Sequence, residues 1–233
     1  GIPALKDSLP HFIIGAPIQG GDQYINPSRR KEIVLWLHDQ IQSNPFVPVK
    51  FFLAVVKKLL WETRKIVPFK DEVYEAMWFG NDTLWRTLFD LNRIVTYADK
   101  DGIMRETPQR AQFQLIDGLI GGEGDGPLST EPVDSLALVA GRNPACVDAV
   151  SATLMGFDVS KIPLIHKAFG EEGRRRPICN TKFDSIRVKI KGKEVSIAEF
   201  ADEHNLNFAP HPNWVGCVER EQRTAASGKT KDA

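Results

Sequence analysis

The sequence predicts an α/β fold: a central, at least partly parallel sheet with helices on both faces, plus a small β-hairpin appendage toward the C-terminus. Three observations carry that expectation. The run "SLALVAG", Ser135 to Gly141, is apolar without alternation, the pattern of a strand covered on both faces inside a parallel sheet. It passes straight into "NPACVDAVSATLMG", where Asn143 is a natural helix cap, Pro144 occupies the favoured first helical position and Gly156 follows the end. Strand, short connection and helix make one β–α unit. The segment "SIRVKIKGKEVSI" alternates about Lys191-Gly192-Lys193, which predicts the hairpin.

The remaining elements follow in chain order. The first thirty residues are rich in Gly, Pro and polar side chains and read as an ordered loop. "RKEIVLWLHDQIQ" gathers Ile33, Leu35, Trp36, Leu37 and Ile41 on one side of a helix, which Pro45 and Pro48 break. "VKFFLAVVKKLLWETRKI" restarts at helical spacing with a local excess of positive charge. Such a helix can lie on a membrane surface, but its ordinary role is to pack on its own domain. "GNDTLWRTLFDLNRIVTYA" predicts a helix capped by Asn81 or Asp82, with Leu84, Leu88, Leu91 and Val95 buried. A strand is expected around Phe113–Ile116, and helices over "KIPLIHKAFG" and "IAEFADEHN". The triplet Arg174–Arg176 reads as a solvated linker. These readings place an α/β core over 1–177, a hairpin and short helix over 178–221 and a disordered tail over 222–233.

Bulk composition narrows the function. The 233 residues carry 30 Lys+Arg against 30 Asp+Glu, so no global charge draws the chain to nucleic acid. The longest apolar runs fall far short of a bilayer span, and no secretory signal is present. Cys146, Cys179 and Cys217 are odd in number and widely spaced, which indicates neither a disulfide framework nor a Cys-x-x-Cys metal site. A cytoplasmic protein is expected. Oligomeric state is not legible.

The strongest chemical candidate is "IGGEGDGP", Ile120 to Pro127. Glu123 and Asp125 alternate on a glycine backbone, and Asp117 ends the strand before them. Three acids near one strand terminus suit an oxygen-liganded cation such as Mg²⁺ or Mn²⁺; the other reading is a turn with solubilising acids. The backbone at Gly124 and Gly126 can approach a ligand closely. A second candidate, "KDSLPHFIIGAPIQGGDQY", offers Lys6, His11 and Asp22. The arc of Asp82, Arg86, Asp90 and Arg93, with Asn92 beside it, is either a solvated face with i,i+4 ion pairs or a row facing a cleft. No P-loop, nucleophile elbow or zinc-protease helix appears.

These segments, in this order, resemble the DUF362 family, which is of undetermined activity. The stretches "KDSLPH", "GGDQY", "FGNDTLWRTLFDLNRI", "TPQRAQFQLIDGLIGGEGDGPL", "LVAGRNPACVDAVSATLMGFD" and "NWVG" carry the resemblance, over Gly1 to about Glu219. The branch it most resembles is the one found near surface-polysaccharide gene clusters. The resemblance implies a segment upstream of Gly1, and functional roles for Leu9–His11, Gly20–Asp22, Gly122–Pro127 and Asn143–Asp148. Some relatives carry iron–sulfur modules; with no cysteine cluster, none is expected here. Cys217 departs from the pattern, because relatives more often have His there.

Residues and resemblance together lead to an enzyme with a divalent cation held by Asp117, Glu123 and Asp125. His11, Asp22 or Asp90 would act in catalysis. Lys6, Arg86, Asn92, Gly124 and Gly126 would hold an anionic or phosphorylated carbohydrate-like substrate. The alternative is a non-catalytic binding or assembly module of surface-polysaccharide machinery, peripheral to a membrane through residues 50–66.

Overall fold

A computed structural model describes residues 29–63, 78–126, 129–170 and 174–221. The loop expected over the first residues, the tail over 222–233, and with them Lys6, His11 and Asp22, lie outside the described residues. The chain divides into two compact units, 1–91 and 92–233. The boundary expected near 177 falls within the second.

In the first unit, α1 (Arg29–Ser43) and α2 (Val47–Glu62) pack against each other. Asn44 separates them, its side-chain oxygen accepting the Phe46 N–H at 2.9 Å. Val34 and Leu37, three residues apart, form the buried side of α1, whereas Ile33 and Trp36 face out. Helix α3 (Leu84–Tyr97) begins where the Asn81 side chain accepts the Leu84 N–H at 2.8 Å, the cap its sequence predicts. Its expected apolar stripe does not form. Leu88, Leu91 and Val95 are exposed, and the buried positions are Phe89 and Tyr97. Tyr97 is fixed by a hydrogen bond from its hydroxyl to the Pro177 carbonyl at 2.8 Å. Arg110 then donates to the Val95 and Ala98 carbonyls, covering acceptors that a helix end leaves open.

The second unit corrects the predicted sheet. Its strands β1 (Gln114–Gly118), β2 (Gly121–Asp125), β3 (Ser129–Val133), β4 (Ala137–Gly141), β5 (Arg187–Ile190) and β6 (Lys193–Ser196) form three separate antiparallel pairs: β1–β4, β2–β3 and β5–β6. No parallel central sheet exists among the described residues. In the first pair Asp117 stands opposite Leu138 and Leu115 opposite Ala140. Only one face of β4 is covered, so its continuous apolar run leaves Leu138 63% exposed. The run recorded the hydrophobicity of the strand and not its direction or its partner.

Helix α4 (Pro144–Met155) follows β4 as expected. Asn143 accepts the Cys146 N–H, Pro144 opens the first turn, and Gly156 closes the helix at φ 95. The close approach of β4 to α4 requires glycine at 141, where a Cβ would stand 2.7 Å from a Val147 methyl. Helices α5 (Pro163–Phe169) and α6 (Ile197–Glu203) complete the layer. Ala149, Val150, Ala152, Ile165, Ile186, Ile197 and Phe200 form the buried cluster, on which Val139 of β4 and Val188 and Ile190 of β5 pack. The expected hairpin is present, turned by Lys191 and Gly192, both at positive φ. The Arg174–Arg176 linker is largely exposed, as expected, with Arg176 half-buried. Arg175 pairs with Glu106, and Arg176 donates to the Met104 and Arg105 carbonyls, so these cations tie two segments together.

Candidate functional site

The glycine–acid segment is a strand and not a loop: residues 121–125 pair with 129–133. Gly124 takes φ 75, a conformation that breaks the regular alternation between Glu123 and Asp125. The two acids therefore have separate partners. Glu123 Oε2 accepts the Ala209 N–H at 2.7 Å, while the Gly124 N–H donates to the Ala209 carbonyl at 3.1 Å. Asp125 Oδ1 lies 3.4 Å from His211 Nε2. His211 Nδ1 accepts the Asn213 N–H at 3.2 Å, which leaves the imidazole proton of the neutral ring on Nε2, facing Asp125. Asp117 accepts the Leu119 N–H at 3.2 Å and braces the turn after β1.

Among the described residues, no three His, Cys, Asp or Glu side chains gather into a set that could hold a metal ion. The structure thus brings Glu123 and Asp125 to one hairpin docked on residues 209–211, and assigns Asp117 to a turn. Gly126, whose N–H donates to the Gly124 carbonyl at 2.9 Å, belongs to the same hairpin end. Arg86 is bound to Asp82 one turn away, with both side chains 61% exposed, which is the solvated ion-pair reading of that face. Asp90 is exposed on the same helix, and Asn92 accepts a long hydrogen bond from Thr96.

Sequence reasoning missed His211. Its signal was weak: a single histidine between Pro210 and Pro212 in an otherwise featureless coil. It also missed that Cys146 and Cys179, 33 positions apart, meet at the start of α4. Both are free thiols. A hydrogen bond from the Cys146 thiol pulls Cys179 down to about 6, helped by bonds from Thr181 and Asn143 and opposed by burial. The same contact pushes Cys146 up. The pair shares its protons, so its two titration steps belong to both sulfurs.

The third feature that sequence reasoning missed is a groove of about 840 Å³ between β4 and β5. Its walls are residues 135–143 and 186–191, and its floor is Val147, Val150 and Leu154 of α4 with Phe200 of α6. Arg142, Arg187, Lys189 and Lys191 line it, and no Asp or Glu does among the described residues. A concave apolar floor with convergent charges of one sign is the usual form of a ligand site.

Comparison with protein-family models, curated proteins and solved structures returned no match to this chain. No helix among the described residues is long and apolar enough to cross a membrane.

Proposed function

We propose that the chain is a binding module whose 92–233 unit holds an acidic, partly apolar ligand along the groove between β4 and β5. One observation carries this reading: among the described residues, four cations and no acid line an apolar groove of drug-sized volume. It corresponds to a binding or assembly role, and the motif resemblance to DUF362 proteins supports a role alongside surface-polysaccharide machinery. Anilinonaphthalene sulfonate, an anionic apolar dye, tests it. Fluorescence titration is expected to show saturable binding that weakens roughly tenfold in the Arg187→Glu, Lys189→Glu double variant, since each exposed charge contributes up to about 1 kcal/mol. Equal binding by both proteins would place the dye elsewhere and sink the reading.

A second reading rests on the approach of His211 to Asp125. On it, the glycine hairpin performs general acid–base chemistry on an anionic carbohydrate-like substrate, the half-buried Asp125 carboxylate moving the proton and the His211 Nε2–H facing it from the protein side. Asp117 and Glu123 each accept a backbone N–H, and this reading calls on no metal. A direct check of the expected cation is calorimetric titration with Mn²⁺. Saturable binding that Asp125→Ala abolishes would restore the metal to the scheme, and heat from dilution alone would remove it.

A further inference from the structure

We propose that the occupant of the β4–β5 groove is a single β-strand of a partner polypeptide, alternating apolar and acidic side chains and pairing with β4 on one side and β5 on the other. The inference rests on the groove reading above and adds the chemistry of its ligand.

The backbone is the first reason. β4 pairs only with β1, and β5 only with β6, among the described residues. No other described backbone hydrogen bond reaches residues 137–141 or 187–190. Among the described residues, each strand therefore leaves a row of N–H and C=O groups on the side of the groove, a template for another strand. Both strands also rest on one core, through Val139 from β4 and Val188 and Ile190 from β5. The two antiparallel ribbons lie over the same helices with a gap between their free edges.

Size is the second reason. A strand advancing about 3.3 Å per residue, in a slot about 4.8 Å wide and about 10 Å deep, fills about 160 Å³ per residue. A groove of about 840 Å³ thus takes about five residues, the length of β4. The walls run the full length of both strands, as a strand-shaped ligand needs and a compact small molecule does not.

Charge selects the sequence of the strand. On β5, exposed Arg187 and Lys189 alternate with Val188 and Ile190, which face the core. An inserted strand would set its inward side chains on the α4 floor and its outward ones beside those two cations. Opposite charges across neighbouring strands are favourable, and like charges are not. The same cations disfavour a second copy of the β5 edge. The β4 edge carries no charge and no proline over 137–141, so it lacks the features with which proteins blunt a free edge.

The probe is a capped seven-residue peptide of alternating valine and glutamate, added to the full chain. Hydrogen–deuterium exchange should slow at residues 137–141 and 187–190 together, and the peptide should displace the anionic dye. Methylating alternate backbone nitrogens of the peptide should weaken binding at least tenfold, because side chains remain while donors are lost. The Arg187→Glu, Lys189→Glu variant should also bind it about tenfold less tightly. Dye binding with no peptide protection, or equal affinity for the methylated peptide, overturns the strand and leaves the groove reading standing. Failure of dye and peptide alike overturns the groove reading itself. Concentration-dependent protection of both edges without peptide, matched by dimer in sedimentation, would assign the groove to a second copy and overturn this proposal.

Discussion

At the scale of single residues, the contacts with most chemical content join positions far apart in sequence. Cys179 and Cys146 are the clearest case. Its thiol is lowered to about 6 in the fold, against about 8.5 for a free cysteine, chiefly by the Cys146 hydrogen bond. A depressed value contributes stability that is present above the unfolded value and lost as pH falls through about 6. In a Cys217→Ser background, thiolate absorbance should rise near pH 6, and Cys146→Ala should move that midpoint upward. Cys146→Ser, which keeps a hydroxyl donor, should retain part of the shift. An unmoved midpoint in Cys146→Ala would show that Cys146 does not set it. Glu123 gives a second test. It holds the Ala209 N–H from 86 positions away, so Glu123→Ala should speed exchange of that amide while leaving α4 unchanged. Equal exchange in both proteins would mean that the hairpin is docked by other contacts. The sequence marked Glu123 and Asp125 through their glycines, but no periodicity could bring His211 to Asp125, because coil contacts leave no repeat to read.

At the scale of elements, local chemistry was legible and facing was not. The caps of α3 and α4 stood in the sequence as Asn81 or Asp82, of which the structure uses Asn81, and as Asn143 with Pro144, since a cap depends on residues within one turn. Which side of α3 is buried depends on what lies beside it. Leu88, Leu91 and Val95, at ideal spacing, lost to Phe89 and Tyr97, the latter held by the Pro177 carbonyl. Helix α6 shows how much a short element relies on its first turn. With seven residues it is below the length at which helices hold themselves, and Ser196 and Glu199 form a complete capping box. Ser196→Ala should cost about 1 kcal/mol in urea denaturation near neutral pH. The Ser196 N–H and hydroxyl hold the Glu199 carboxyl below its usual range. That part of the stabilisation is therefore present above about pH 4.3 and fades as pH falls through the lower folded value. A Ser196→Ala penalty that stayed constant into acid would show that the box acts through its serine alone.

At the scale of the whole molecule, the expected central sheet failed for a physical reason: an apolar run reports that a strand resists water, and not what covers it. β4 is apolar throughout, yet only the side carrying Val139 packs on the helices, which leaves Leu138 exposed and, among the described residues, one edge open. The two units differ in the same currency. In the described part of residues 1–91, only Val34, Leu37 and Phe89 are buried apolar side chains, while the rest of the core, from Tyr97 to Val218, belongs to residues 92–233. Each fully buried side chain of this size contributes about 1.5–3 kcal/mol, so the described part of the first unit has less to set against the entropy of ordering α1 and α2. It also leaves Phe46 before α2, and Val47, Phe51, Phe52 and Leu59 of α2, more than 60% exposed. Unfolding should therefore occur in two stages. In native-state hydrogen exchange under rising urea, the amides of Val34 and Leu37 should lose protection well before those of Ala149 and Ala152. Calorimetry should show a low-temperature transition that a Leu37→Ala substitution moves further down, with the main transition unchanged. Simultaneous loss of protection in both units, or one transition that shifts as a whole, would make the chain a single cooperative body despite its division into two compact parts.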